Sequence, residues 1–115
     1  MSHRVLVVED DPLLRGGLAM LVKVGGHEVA TAATVADGLA QLAWGPSHLL
    51  LDMNLPDGVG TTILRHVRAE RLPIKVAVFS GSGDAALMAE ARGLSPDAVF
   101  KKPAEWDALE AWIAA

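Results

Sequence analysis

The sequence predicts an α/β fold in which five parallel strands form one sheet with helices on both faces. Short apolar runs typical of buried strands alternate five times with segments whose apolar residues recur at helical spacing. No internal repeat, linker or low-complexity segment interrupts the alternation, and 115 residues is the length of a single domain. Strict strand–helix alternation predicts a parallel sheet, for which we expect the strand order 2-1-3-4-5.

The first strand–helix unit has clear boundaries. The run Val5–Val8 is apolar and mostly β-branched, which is typical of a strand buried on both faces. Asp11 and Pro12 then predict the start of a helix, because aspartate is a good N-cap and proline suits the first helical position. The pair Gly25-Gly26 predicts the end of that helix.

The remaining units follow the same logic with weaker signals. The segment His27–Ala32 predicts a second strand. Thr34 and Asp37 have the spacing of a capping box, at the start of a helix that runs to Gly45. The segment Pro56–Gly58 predicts a turn. We further expect strands over residues 49–52, 75–79 and 98–100 and helices over residues 62–70, 84–93 and 105–114.

The composition excludes several functional classes. The formal net charge of −4 argues against nucleic-acid binding, which usually needs a basic surplus. The absence of cysteine excludes disulfides and thiolate chemistry. No apolar stretch approaches the ~20 residues of a membrane span, and the first apolar run is too short for a signal peptide. We therefore expect a cytoplasmic protein without membrane contact, with residues 1–115 forming one domain and no effector domain.

Polar side chains fall at the ends of four of the five predicted strands. They are Glu9 and Asp10 after the first strand, Asp52 after the third, Ser80 after the fourth and Lys102 after the fifth. The carboxyl ends of parallel strands meet at one edge of a sheet, so we expect these side chains to converge. In the expected order the first and third strands are neighbours, which should bring Glu9, Asp10 and Asp52 together.

The charges at this edge predict a chemistry. Two carboxylates ~4 Å apart repel by roughly 4 kcal/mol at an effective dielectric constant near 20, so three would either take up protons or bind a divalent cation. All-oxygen ligands favour a hard ion such as Mg²⁺. With the ammonium group of Lys102 and the hydroxyl of Ser80, such a site suits transfer of a phosphoryl group to Asp52. The four histidines are scattered and show no ligand spacing along the chain: His3, His27, His48 and His66.

Four motifs resemble those of the receiver domains of bacterial two-component response regulators, the CheY-like family. The acidic motif Val7–Asp11 spans the end of the first predicted strand, and the motif Leu51–Gly58 spans the end of the third. The segments Phe79–Gly81 and Lys102-Pro103 follow the fourth and fifth strands. The motifs keep the order of the family and the similarity covers essentially the whole chain. The resemblance therefore implies the flavodoxin-like receiver fold.

The resemblance also implies a role for each site residue. Asp52 corresponds to the phosphoryl acceptor, Lys102 to the lysine that pairs with the phosphoryl group, and Ser80 to the hydroxyl that moves toward it. The implied Mg²⁺ ligands are Glu9, Asp10, Asp52 and the backbone carbonyl of Asn54. The bond before Pro103 is expected to be cis, as in the family. This chain departs from the family pattern in having serine rather than the commoner threonine at position 80, and Val99 where an aromatic residue is frequent.

The function implied by the resemblance is phosphorelay signal transduction. A sensor histidine kinase or a phosphotransfer protein would donate the phosphoryl group, and Mg²⁺ would assist the transfer. An output protein of unknown identity would then read the result. The chain would be no enzyme beyond its own phosphorylation and slow dephosphorylation, and it would act as a monomer or as a dimer formed on phosphorylation.

Alternatives remain open on the sequence alone. One is a pseudo-receiver, a docking module with this fold that is never phosphorylated. Another is a different activity on the same sheet, either flavin binding or a true Mg²⁺-dependent phosphatase. The carboxylates after the first strand argue against flavin, because they would repel its phosphate. Gly16 and Gly17, inside the first predicted helix, either have a packing role or allow the close approach of a partner helix.

Overall fold

The computed structural model describes residues 3–81, 85–102 and 106–115. Five strands form one parallel sheet: Arg4–Val8 (β1), Glu28–Ala32 (β2), His48–Asp52 (β3), Lys75–Ser80 (β4) and Ala98–Lys101 (β5). The helices are Pro12–Val24 (α1), Val35–Gln41 (α2), Thr61–Ala69 (α3), Ala85–Gly93 (α4) and Trp106–Ala114 (α5). The strand order is β2-β1-β3-β4-β5, which confirms the predicted fold class and the order 2-1-3-4-5.

The predicted starts of the first two helices are confirmed by their caps. The carboxylate of Asp11 accepts hydrogen bonds from the backbone N–H groups of Leu13 at 3.0 Å and Leu14 at 3.5 Å. Thr34 Oγ1 accepts one from the backbone N–H of Asp37 at 3.0 Å. These caps satisfy amides that have no partner within the helix, so short polar side chains determine where each helix begins.

Two segments differ from their predicted form. The second helix ends at Gln41 and passes into a 3₁₀ turn over Leu42–Trp44. Gly45 follows this turn with φ of 79°, a left-handed conformation that favours glycine. The predicted turn after β3 is flanked by two-residue antiparallel strands, Asn54–Leu55 and Gly58–Val59. A ribbon this short has no periodicity from which the sequence could predict it.

The other predicted elements agree with the structure to within one residue wherever their ends are described. Three sequence predictions lie outside the described residues. These are the helix starts at Asp84 and Glu105 and the cis bond before Pro103. Within residues 3–81, 85–102 and 106–115, each helix is too short or too polar to cross a lipid bilayer.

The sheet separates two apolar layers. Successive residues of a strand face opposite sides, and in β1 Leu6 and Val8 belong to one layer while Val5 and Val7 belong to the other. The first layer includes helical residues of α2, α3 and α4: Val35, Ile63, Leu64, Val67, Met88 and Ala91. The second includes residues of α1 and α5: Leu18, Val22, Leu109 and Ile113. The prediction of helices on both faces is therefore confirmed.

The register of the strands positions the polar residues at their ends. Val8 of β1 is the partner of Leu51 in β3, so the residues that follow, Glu9 and Asp52, are neighbours across the sheet. At the other side of β3, Asp52 is the partner of Phe79 in β4. The carboxyl ends of β1, β3 and β4 thus meet at one edge of the sheet.

Candidate active site

The acidic cluster consists of Glu9, Asp10 and Asp52, at the carboxyl ends of β1 and β3. Each residue contributes a carboxylate oxygen to a group in which these atoms all lie within 4.8 Å of one another. Across the described ranges, no other trio of acidic, histidine or cysteine side chains has this spacing. Glu9 and Asp52 are buried, whereas Asp10 is exposed. The three carboxylates that the sequence leads us to expect at one edge do lie together.

The ammonium group of Lys102 is the positive charge of this site. Lys102 Nζ lies 2.9 Å from Oδ1 of Asp52 and 3.3 Å from Oε2 of Glu9. The two carboxylate side chains are each 4% exposed, and the lysine side chain is 28% exposed. Because little water reaches the carboxylate oxygens, the attraction is screened less than in a surface ion pair.

The charges of the site are unbalanced. Burial and the charge of Asp52 raise the pKa of Glu9, and Lys102 acts in the opposite direction. Burial alone would lower the pKa of Lys102, but the hydrogen bond and charge of Asp52, together with those of Glu9, raise it. When every group is ionised, three carboxylates face one ammonium group. An all-oxygen donor set with excess negative charge fits Mg²⁺.

Ser80 and Asn54 lie beside the acidic cluster. Ser80 is the half-buried last residue of β4, and its backbone carbonyl accepts a hydrogen bond from the N–H of Lys102 at 2.8 Å. A pocket of about 340 Å³ opens here, and its described lining is Ser80, Gly81, Lys101 and Lys102. Asn54 is exposed in the short ribbon, two residues after Asp52. The ligand role of its carbonyl stays a prediction.

Arg15 of α1 contacts the acidic loop, which we define as residues 9–11 between β1 and α1. The sequence analysis does not identify Arg15 as a site residue. Arg15 Nη1 donates hydrogen bonds to the backbone carbonyls of Glu9 at 3.0 Å and Asp10 at 3.3 Å. Arg15 follows the N-cap by one helical turn, so its long side chain can reach back over the loop. A basic residue one turn after an acidic strand end is the signal that could have found it.

Asp57 joins the loop after β3 to the start of α2. Its Oδ1 accepts a hydrogen bond from the backbone N–H of Val35 at 2.7 Å, and its Oδ2 accepts one from Ala36 at 3.0 Å. These two bonds lower the pKa of Asp57. The sequence predicts only a turn at this position, because the amides that it caps lie 22 and 21 residues away in the chain.

Gly60 leaves no room for a side chain next to Asp52. A Cβ atom at this position would collide with the backbone carbonyl oxygen of Asp52 and would lie 3.1 Å from Cε of Met53. The φ angle of Gly60 is −60°, so the close approach of the backbone, rather than an unusual conformation, requires glycine. The contact ties the start of α3 to the end of β3.

Three of the four histidines lie together at the opposite, amino edge of the sheet. The ring centroids of His3 and His27 are 5.4 Å apart, and those of His3 and His48 are 4.6 Å apart. The His48 ring also meets Trp112 of α5 edge-on at 5.2 Å. The histidines are thus clustered in space although scattered in sequence. They are not among the described groups with metal-ligand spacing.

We predict that His48 makes the fold less stable in mild acid. His48 is 2% exposed, and burial, followed by the charges of His3 and Lys75, lowers its pKa from 6.5 to about 4. The ring therefore stays neutral in the folded protein while it protonates in the unfolded chain. The resulting stability is full above about pH 6.5 and is lost as the pH falls toward 4, by up to roughly 3 kcal/mol.

Urea unfolding from about pH 7 down to about pH 4 checks this prediction. His48→Leu should have a flatter pH dependence of the unfolding free energy than the wild type, because the titrating ring is gone. His66→Gln is the matched control, since His66 is an exposed histidine of α3. A His48→Leu curve as steep as that of the wild type would contradict the prediction.

Comparisons with known proteins agree with this geometry. A sequence model of the family described as response regulator receiver domain matches residues 5–114. The acid tolerance regulatory protein ActR of Rhizobium meliloti is 31% identical over 104 residues, which are 90% of this chain and 54% of ActR. The transcriptional regulatory protein FixJ of Bradyrhizobium diazoefficiens is 30% identical over 112 residues, which are 95% of this chain and 54% of FixJ. The chain spans about half the length of these curated relatives.

Solved structures show the same fold. A CheY-like response regulator receiver domain protein from Methanospirillum hungatei has a TM-score of 0.91 at 27% identity, and the match covers 99% of this chain and 92% of that one. A response regulator receiver domain protein from Clostridium thermocellum has a TM-score of 0.89 at 23% identity, with 97% of this chain and 91% of that one covered. The fold, the four motifs and the family match lead to one conclusion: the chain belongs to the response regulator receiver domain family.

Proposed function

We propose that this chain is a phosphorylation-operated switch of a two-component phosphorelay, with Asp52 as the phosphoryl acceptor. The observation that carries the proposal is the contact of Lys102 Nζ with Asp52 Oδ1, 2.9 Å away within the acidic cluster. This contact places a positive charge beside the carboxylate that would carry the phosphoryl group. Membership of the receiver family supports a role in phosphorelay signalling.

The proposed phosphoryl donor is a phosphohistidine of a sensor histidine kinase or of a phosphotransfer protein. A carboxylate oxygen of Asp52 forms a bond to phosphorus as the bond from phosphorus to the imidazole nitrogen breaks, and the leaving imidazole takes up a proton from water. The ammonium group of Lys102 stabilises the charge on the phosphoryl oxygens.

The acidic cluster supports Mg²⁺ as the cofactor of this reaction. Glu9, Asp10 and Asp52 would hold the ion through their carboxylates, and Asn54 through its backbone carbonyl. When bound, Mg²⁺ supplies positive charge that neutralises part of the charge on the transferring group. The buried carboxylate of Glu9 supports this role, because it lies close to the carboxylate of Asp52 and contacts the ammonium group of Lys102. Lys102 contacts Asp52 as well.

Ser80 is the proposed link between phosphorylation and a change of shape. The phosphorylated carboxylate carries about two negative charges, and the hydroxyl of Ser80 at the end of β4 is expected to donate a hydrogen bond to it. The movement of the Ser80 hydroxyl toward the phosphoryl group shifts an equilibrium between two conformations. An output protein then binds one conformation in preference to the other. The chain then acts as a signal carrier whose only reactions are its own phosphorylation and slow dephosphorylation.

The exposed face of α1 is the docking surface that we propose for the phosphoryl donor. Leu13, Met20 and Val24 are 86%, 63% and 77% exposed, and their spacing puts them on the same helix face as Gly17. A Cβ atom at Gly17 would meet nothing within 4 Å, which supports the close approach of a partner helix. Because α1 begins directly after the acidic loop, a partner docked here would have its phosphohistidine close to Asp52.

Intact mass after incubation with acetyl phosphate and Mg²⁺ tests the proposed function. We expect the wild type to gain one phosphoryl group, and to gain none when EDTA removes the metal ion. Asp52→Asn should gain none, whereas Asp11→Asn should behave like the wild type. Asp11→Asn is a matched control, because it removes a neighbouring charge while asparagine keeps the helix cap. A folded wild type that gains no phosphoryl group would favour the pseudo-receiver instead.

A further inference from the structure

The side chain of Arg15 joins α1 to the acidic loop, residues 9–11. Its Nη1 contacts two consecutive backbone carbonyls, at 3.0 Å on Glu9 and at 3.3 Å on Asp10. The backbone N–H of Arg15 donates to the carbonyl of Asp11 at 2.8 Å, which is an ordinary helical hydrogen bond. The contacts that depend on the arginine side chain are those to Glu9 and Asp10.

The helix dipole by itself disfavours a positive charge at Arg15, because this residue lies near the amino end of α1. The acidic residues of the preceding loop act in the opposite direction. The first turn of the helix contains no acidic residue that could pair with it. The loop carbonyls are instead its hydrogen-bond acceptors, and both carbonyls belong to the residues whose side chains form the acidic cluster.

The backbone of this loop determines where the carboxylate of Asp10 lies. Glu9 is fixed independently, because its backbone N–H donates to the carbonyl of Ala32 at 3.0 Å and its carboxylate contacts Lys102. Asp10 is exposed, so it lacks the packing that holds Glu9. The guanidinium group of Arg15 restrains the backbone carbonyl of Asp10 by donating a hydrogen bond to it.

We propose that Arg15 is a positioning residue for the divalent cation, holding the acidic loop so that Asp10 is preorganised to bind Mg²⁺. This inference rests on the proposed function, since it concerns the same site. The proposal and simple electrostatics predict opposite changes in Mg²⁺ affinity when Arg15 is replaced. Removing a positive charge beside an acidic cluster should by itself strengthen cation binding. Removing the restraint on the loop should weaken it.

Isothermal titration of the full chain with Mg²⁺ alone tests the proposal, using Arg15→Ala, Arg15→Gln and Lys23→Ala. Arg15→Ala should raise the Mg²⁺ dissociation constant roughly three- to ten-fold, the effect of losing one or two hydrogen bonds. Arg15→Gln should recover part of the affinity, because its amide can still donate to one carbonyl. Lys23→Ala should have little effect, although it removes the same charge from the last turn of the same helix.

The rate of phosphorylation by acetyl phosphate gives the second readout. Arg15→Ala should need more Mg²⁺ for its half-maximal rate while reaching a similar maximal rate, which a general loss of stability would not produce. An Arg15→Ala dissociation constant equal to or lower than that of the wild type overturns the inference and leaves the proposed function intact. A wild-type chain that does not bind Mg²⁺ overturns both.

Discussion

Replacing Lys102 with methionine is expected to lower the free energy of unfolding by about 2 kcal/mol when Mg²⁺ is absent. Methionine keeps much of the length of the side chain and removes its charge. The carboxylates of Glu9 and Asp52, each 4% exposed, would then face each other without the ammonium group that now contacts both. Because Lys102 is itself 28% exposed, water screens part of the effect, and we expect less than the full cost of breaking a buried pair.

Urea unfolding in EDTA measures this loss of unfolding free energy. Two further variants test whether it comes from the contacts of Lys102 with the carboxylates. Lys101→Met removes the same charge from the adjacent, exposed position of β5 and should change stability little. In an Asp52→Asn background, Lys102→Met should cost less than in the wild type, because only one buried carboxylate then loses its partner. Equal losses for Lys101→Met and Lys102→Met would contradict the electrostatic account of the site.

Replacing Gly60 with alanine is expected to destabilise the fold by about 3 kcal/mol and to slow phosphoryl uptake at the same time. The added methyl group would collide with the carbonyl oxygen of Asp52, so either the end of β3 or the start of α3 must move. A shift of β3 would displace the acceptor carboxylate from Lys102. Thermal unfolding and the rate of mass gain with acetyl phosphate measure the two effects separately.

Gly17→Ala is the matched control for this glycine. Gly17 lies within α1, and a Cβ atom there would meet nothing within 4 Å. Alanine should therefore stabilise the protein by up to about 1 kcal/mol, because it has the higher helix propensity. If both alanine variants had the same stability, the close contact at Gly60 would not be the reason for its glycine.

Much of the fold could be predicted because the sequence signals were local. Val5–Val8 indicates a buried strand by composition, and Asp11 and Thr34 indicate helix starts through caps that act within three residues. The alternation of strands and helices then predicts a parallel sheet, and a parallel sheet places the carboxyl ends of its strands, with Glu9 and Asp52, at one edge. The convergence of the acidic cluster thus follows from the fold class together with the strand order, in which β1 and β3 are neighbours.

The contacts that sequence reasoning missed involve long side chains or distant partners. Arg15 reaches back five and six residues to the carbonyl groups of Asp10 and Glu9. A basic residue one turn after an acidic strand end indicates such a contact, but it does not indicate which carbonyl groups are met. Asp57 caps a helix more than twenty residues before it. The clash that requires glycine at position 60 depends on how closely α3 approaches β3, which only the packed structure shows.

The histidine cluster was missed for a different reason. His3 directly precedes β1, His27 directly precedes β2, and His48 is the first residue of β3. These three strands are adjacent in the order β2-β1-β3, so their amino ends meet just as their carboxyl ends do. The topology that brings the carboxylates together therefore also brings these three rings together, although among the described residues they do not form a group with metal-ligand spacing.

Chemical location of the phosphoryl group tests the central claim most directly. Borohydride reduces an acyl phosphate of aspartate to homoserine, and peptide mass spectrometry then identifies the residue that was modified. After incubation with acetyl phosphate and Mg²⁺, we expect homoserine at position 52 and unchanged carboxylates at Glu9 and Asp10. Reduction at either of those residues, or a phosphoryl group retained on Ser80 or Lys102, would contradict the assignment of Asp52 as the acceptor.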